Sequence, residues 1–154
     1  MRQPTLPADG GCRCGAVRFR LTQPPVVTAV CHCLGCQKMT GGAYSTTATV
    51  PAAGFAVTRG ETVRGGLRTG SGVHQHCPAC HSWVFTQIEG MDFVNIRATM
   101  FDDATWFAPF MESQTVEALP WARVAAPKSF ERFPPAEQYP ELMTAYAEAA
   151  AAGT

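Results

Sequence analysis

The chain has 154 residues, 46% of them hydrophobic and only 16% charged, with a formal net charge of zero at pH 7. That length suits one domain with a modest core. The sparse, balanced charge excludes the broad cationic surface that nucleic acid or an anionic membrane selects, and no window approaches the ~20 consecutive apolar residues of a membrane-spanning helix.

The first residues reach Asp9-Gly10-Gly11 without an apolar run of signal-peptide length. A cytoplasmic location is therefore expected. In that compartment the seven cysteines point to metal binding or catalysis rather than to a disulfide framework. Frequent, scattered Gly and Pro favour short strands joined by turns.

Residues 1–8 read as a loose lead-in. Gly10-Gly11-Cys12-Arg13-Cys14-Gly15 is a Gly-flanked C-x-C. From Ala16 to Leu21, Val17, Phe19 and Leu21 alternate with Arg18 and Arg20, the pattern of a strand with one wet face. Val26 to Val30 is a second short strand, and it delivers Cys31-His32-Cys33-Leu34-Gly35-Cys36. Gln37 to Gly42 reads as a polar, Gly-rich turn. Ala43 to Val50 and Phe55 to Arg59 are the next strand candidates. Gly65-Gly66 and Gly70-Ser71-Gly72 bracket a hairpin or mobile region.

Val73 to His76 leads into the tight turn Cys77-Pro78-Ala79-Cys80. Trp83–Ile88 and Asp92–Thr99 are predicted strands joined at Glu89-Gly90, with Val94, Ile96 and Ala98 facing inward. Phe101 to Thr105 is a turn, and Thr115 to Leu119 is read as a last strand. Residues 127–140 form an irregular arm. Pro140-Glu141 then opens a helix, because Pro suits the first helical position and Glu the positive end of the helix dipole. Leu142, Met143, Tyr146 and Ala149 or Ala150 share one face of it, and Gly153 stops it.

The cysteines carry the chemistry. Side chains two apart on an extended chain share a face, so Cys31 and Cys33 can converge on one ion, and the turn at Gly35 lets Cys36 join them. Three thiolates leave one place of a zinc tetrahedron open, and an open place is where a zinc site does chemistry. Cys12/Cys14 and Cys77/Cys80 together would make a closed, structural four-cysteine site. Spacing alone leaves two alternatives: Cys33/Cys36 with Cys77/Cys80 also reads as a zinc ribbon, and iron suits an all-thiolate cage as well.

Three stretches, Gly10–Phe19, Cys31–Lys38 followed by Gly41-Gly42-Ala43, and His76–Cys80, together resemble the signatures of the glutathione-dependent formaldehyde-activating enzyme family, which also includes centromere protein V. The resemblance runs in order from about residue 9 to Trp121 and takes in Asp102-Asp103 and Pro120-Trp121. It implies a mainly β fold of coiled antiparallel sheets, the beta-tent, with two zinc sites and here a short C-terminal helix. The zinc domain would span 9–125, with 126–154 as a C-terminal arm and helix packing on it. The resemblance also implies that Cys12, Cys14, Cys77 and Cys80 hold a structural zinc. Cys31, Cys33 and Cys36 would hold a second, catalytic and more labile one. Two stretches depart from the family: Phe110-Met111-Glu112-Ser113, where members often carry a His-Ile pair, and the turn at Gly42-Ala43.

An open three-thiolate zinc is a weak Lewis acid toward water and suits exchange of a visiting thiolate, whose proton coordination removes. The expected activity is that of a carbon–sulfur lyase or synthase on a glutathione-type thiol adduct such as S-hydroxymethylglutathione. The expected partner is a small-molecule thiol, with neither nucleic acid nor membrane, and a homodimer is allowed. The alternative is a non-catalytic zinc module that binds a protein partner or a small thiol. Glutathione's carboxylates call for cations, and Lys38, Arg64 and Arg68 lie near the zinc loops in sequence. His32 alternates with Cys31 and Cys33 and points away from them. His76 and His81 flank Cys77/Cys80 as hydrogen-bond partners for sulfur, and His74 is a candidate fourth ligand that would close the trio. Tyr44, Trp83 and Trp106 are candidates to line a pocket, with core packing the simpler role for Trp83.

Overall fold

The computed structural model describes residues 1–66 and 71–153. Two sheets carry the fold. The smaller is antiparallel, in the order β1–β2–β5: β1 (Ala8–Gly11), β2 (Arg18–Leu21) and β5 (Phe55–Arg59). The larger contains β3 (Val27–Cys31), β4 (Ser45–Pro51), β6 (Val63–Gly65), β7 (Gly72–His76), β8 (Trp83–Ile88), β9 (Phe93–Ile96), β10 (Met111–Ser113) and β11 (Lys128–Ser129). Its strand order is β11–β10–β3–β4–β9–β8–β7–β6. Pairing is antiparallel from β3 to β6, while β10 pairs in parallel with both β3 and β11. Helix α1 spans Leu34–Thr40 and α2 spans Tyr139–Ala151.

Period-2 alternation sorts the residues of the large sheet between two environments. One face, with Ala48 and Val50 of β4 and Val94 and Ile96 of β9, packs against Val17, Phe19 and Leu21 from the smaller sheet and its approach, in the main core. Ala98 is buried just beyond β9, so the inward set expected from Val94, Ile96 and Ala98 holds. On β8 the pairing with β7 slips between Gln75 and His76 and skips Val84, and both Val84 and Phe85 join the core. Gly10 is fixed by contact: a Cβ there would run into the Phe19 ring and the carbonyl of Met100. Phe19 itself meets Phe101 edge-on, ring centroids 5.2 Å apart, in the geometry that aromatic quadrupoles favour.

The other face of the large sheet is covered in part by the C-terminal arm. Leu142 and Tyr146 of α2 are buried with Val27, Phe110 and Met111 in a second core, as the apolar face of the predicted helix requires.

Three local expectations are corrected. Gln37 to Gly42, read as a turn, falls largely within helix α1: Cys33 Sγ accepts from the Cys36 N–H at 3.3 Å at its start, and Gly41, at φ 62°, ends it in the left-handed region. The strand expected at Thr115–Leu119 is instead a single 3-10 turn over Thr115–Glu117, preceded by Gln114 at φ 58°. The pairing edge is taken by Met111–Ser113, whose backbone registers with Ala29–Cys31. Ala8, placed at the end of a loose lead-in, instead begins β1 with Asp9, Gly10 and Gly11.

Candidate metal centres and the adjoining cavity

The four sulfurs of Cys12, Cys14, Cys77 and Cys80 lie within 4.8 Å of one another. The C-x-C turn precedes β2 and the C-P-x-C turn precedes β8, so the site clips the small sheet to the large one. Cys12 Sγ stands 3.6 Å from Cys14 Sγ, which stands 3.8 Å from Cys77 Sγ. A zinc tetrahedron with bonds of about 2.3 Å sets its sulfurs about 3.8 Å apart, so the donor set fits that ion. The Val17 N–H donates to Cys12 Sγ at 3.2 Å, and the Ser82 hydroxyl stands 3.2 Å from Cys80 Sγ. Hydrogen bonding by Ser82 pulls the Cys80 thiol down to about 5. This grouping decides against the zinc-ribbon alternative.

Cys31, Cys33 and Cys36 form the second cluster, also within 4.8 Å of one another, and no other His, Asp, Glu or Cys among the described residues joins it. Cys31 ends β3, Cys33 caps α1 and Cys36 lies in its first turn. Ser45, opposite Cys31 in the β3–β4 ladder, donates its hydroxyl to Cys36 Sγ at 3.1 Å. Hydrogen bonding with Cys31 pulls Cys36 down to about 6, and the same contact pushes Cys31 far up. Neighbouring thiols thus share one negative charge, and a divalent cation between them removes that restraint.

The histidines take other places. His32 is fully buried, with Nε2 3.2 Å from Glu112 Oε2 and its ring edge-on to Tyr44 at 5.3 Å; as expected, it is not in the trio. His74 does not close the trio either. Its Nδ1 lies 2.9 Å from the Thr86 hydroxyl, which accepts from Trp83 Nε1 at 3.0 Å. Burial and then the Arg97 charge hold His74 below its ordinary pKa, hence neutral at pH 7. His76 stacks on Trp83 with centroids 6.3 Å apart. At Cys80 it is Ser82, and not a flanking histidine, that meets the sulfur.

Beside the trio opens a cavity of about 820 Å³, reached by Cys31 and Cys36. The strands supply alternate residues to it: Val27 and Ala29 from β3, Ser45, Thr47 and Thr49 from β4, and Phe93 and Asn95 from β9. Trp83 lines it while remaining buried, whereas Trp106 belongs to the main core. Lys38 and Arg64 do not line it, and Arg68 lies outside the described residues. The cation that does line it is Arg97, 6% exposed, with its guanidinium 4.2 Å above the Trp83 ring centroid. Burial lowers its pKa to about 10 against the pull of the Cys36 and Cys31 sulfurs, so it stays charged at neutral pH. Its Nη2 donates to the Asn95 carbonyl at 3.1 Å, and its Nε is buried without a partner.

Arg97, Ser45 and Ser82 escaped the sequence reading. The one available signal was Arg97's place two residues from Asn95 on the non-core face of the β9 stretch. No helix among the described residues is long and apolar enough to cross a membrane.

Among solved structures, a Rhodobacter sphaeroides protein resembles the chain in fold, with a TM-score of 0.51, 19% identity, and coverage of 61% of this chain and 87% of that one. No curated protein matches. The family model described as glutathione-dependent formaldehyde-activating enzyme matches residues 7–117, a span that holds all seven cysteines and well over half of the chain. The chain belongs to the glutathione-dependent formaldehyde-activating enzyme family.

Proposed function

We propose that the protein is a zinc-dependent carbon–sulfur lyase or synthase acting on a glutathione-type thiol adduct such as S-hydroxymethylglutathione. In this reading residues 9–125 are the zinc domain, and 126–154 form an arm that completes its cavity. The observation that carries the proposal is a cluster of three convergent sulfurs with no fourth protein donor among the described residues, two of which border a cavity. Family membership supports the thiol adduct as substrate class.

Zinc held by Cys31, Cys33 and Cys36 would supply a fourth position for the substrate sulfur and keep that sulfur deprotonated. The residues around it do the rest. Ser45 donates to Cys36 and fixes its direction. Arg97 offsets the surplus negative charge of the thiolates from within the protein, where charge is poorly screened. In the lyase direction the carbon–sulfur bond breaks with its electron pair going to sulfur. The adduct's hydroxyl loses its proton and becomes a carbonyl. We assign that proton to His74, which is neutral and lines the cavity. The synthase direction reverses each transfer.

The test is a metal count with thiol competition. Two zincs per chain, with the trio's metal responding to glutathione in the absorption of a cobalt-substituted sample, support the enzyme. Two metals that both ignore every thiol would leave a non-catalytic zinc module.

A further inference from the structure

Family membership leaves open which adduct the site accepts, and the cavity walls bear on that. Two of their sides are strongly apolar. Ile88, Met91 and Phe93 form one, and Phe133, Tyr139 and Met143 belong to the other. The latter three lie beyond residue 117, where the family match ends, so this wall is supplied by the C-terminal arm. Phe133 is 58% exposed and Met91 57%. Two large apolar side chains thus stand in water at the edge of a cavity, where a ligand would cover them.

Polar matching points the same way. Glutathione carries two carboxylates and an ammonium. Among the described residues the cavity offers one cation, Arg97, and no acidic side chain. The space of about 820 Å³ is of a size that elsewhere encloses ligands of drug-like bulk, so it has room for a body next to the sulfur larger than a hydroxymethyl group. Arg97 is fixed over Trp83 and interacts with the charges of Cys36 and Cys31. An adduct whose sulfur reached the trio would have its hydroxyl in the same cavity as that guanidinium, whose buried Nε lacks an acceptor.

We propose that this cavity takes a thiol adduct with an apolar body of roughly six to ten carbons, seated against Phe133, Tyr139 and Met143, with the adduct's hydroxyl oxygen on Arg97. This rests on the reading of the trio as the seat of a visiting sulfur. The apolar body has two chemical sources: formaldehyde added to a bulky thiol, which the single cation favours, or a bulky aldehyde added to glutathione, whose charged ends would then lie outside the cavity.

The experiment uses the full chain with cobalt in place of zinc, so that a thiolate arriving at the trio is seen in the absorption spectrum. Three arms are titrated: glutathione with formaldehyde, glutathione with phenylacetaldehyde, and 2-phenylethanethiol with formaldehyde. One bulky arm is expected to half-saturate the spectral change at a concentration about tenfold or more below the first arm, and which one identifies the source. Phe133→Ser, at an exposed position, and Met143→Ser are expected to remove most of that advantage, with circular dichroism confirming the fold. Equal half-saturation across the three arms, or an advantage that survives both substitutions, would overturn the inference while leaving the lyase reading intact. A spectrum that no thiol perturbs would sink both.

Discussion

Ser45 sits opposite Cys31 across the β3–β4 ladder and gives its hydroxyl to Cys36 Sγ at 3.1 Å. One small side chain thereby ties the two ends of the C-x-C-x-x-C loop to the sheet. It is only 1% exposed, so its hydrogen bond is made out of reach of bulk water. Partners of this kind orient metal ligands and tune their basicity. Ser45→Ala is expected to weaken the trio's zinc affinity about tenfold or more while the four-cysteine site keeps its metal. Chelator competition followed site by site measures this, and equal affinity in the variant would refute the role.

The two clusters should respond differently to the loss of a ligand. Cys77 is fully buried within the main core and belongs to the site that clips the two sheets together. Cys77→Ser is expected to cost several kcal/mol, since a structural zinc can supply free energy on the order of a domain's entire net stability. Cys31→Ser or Cys36→Ser should leave a folded protein with one metal fewer and none of the proposed lyase activity. Thermal unfolding with a metal count distinguishes these cases, and equal destabilisation by all three substitutions would contradict the division.

Arg97 separates stability from function. Burying a guanidinium costs desolvation that one carbonyl and a cation–π contact only partly offset, so an apolar residue of similar length replaces it at little cost where a metal already balances the thiolates. Arg97→Met is therefore expected to unfold at a temperature close to the parent's, while its response to thiols falls. Removing the cation also takes away a charge that favours the Cys36 thiolate. A variant that unfolds early but retains its thiol response would reverse this assignment.

The ion pair of Arg18 with Asp102 joins β2 to the turn after β9, with Nη1 to Oδ1 at 2.8 Å. The Arg18 hydrogen bonds hold Asp102 below its ordinary 3.8. A depressed carboxylate stabilises the fold above its unfolded pKa, and that contribution disappears as pH falls through the folded value. The pair is solvent-exposed, its side chains 29% and 55% accessible, so its worth is at most about 1 kcal/mol. Asp102→Asn should lower stability by no more than that at pH 7 and by less near pH 3. Urea titrations at the two pH values test the sign.

The thiol spacings and the alternation of apolar residues were enough to state a mainly β chain, a closed and an open sulfur cluster, and the apolar face of α2. Those are local properties: two donors in a C-x-C turn approach each other whatever the rest of the chain does, and a strand with Val17, Phe19 and Leu21 on one side must bury that side. Which pair would join Cys77 and Cys80, Cys12/Cys14 or Cys33/Cys36, was not local, and packing of the small sheet on the large one decided it for Cys12 and Cys14. The same holds for the face of the large sheet that carries Ser45, Asn95 and Arg97. Alternation alone marks those positions as non-core, and in an isolated sheet they would meet water. The arm beyond residue 126 lies over that side and turns it into a cavity wall, and Arg97, a position that alternation leaves outside the core, is a buried charge lining the same cavity as Cys31 and Cys36. Sequence determined which atoms could bind metal; tertiary closure alone decided what surrounds them, because a side chain's environment depends on elements far away along the chain.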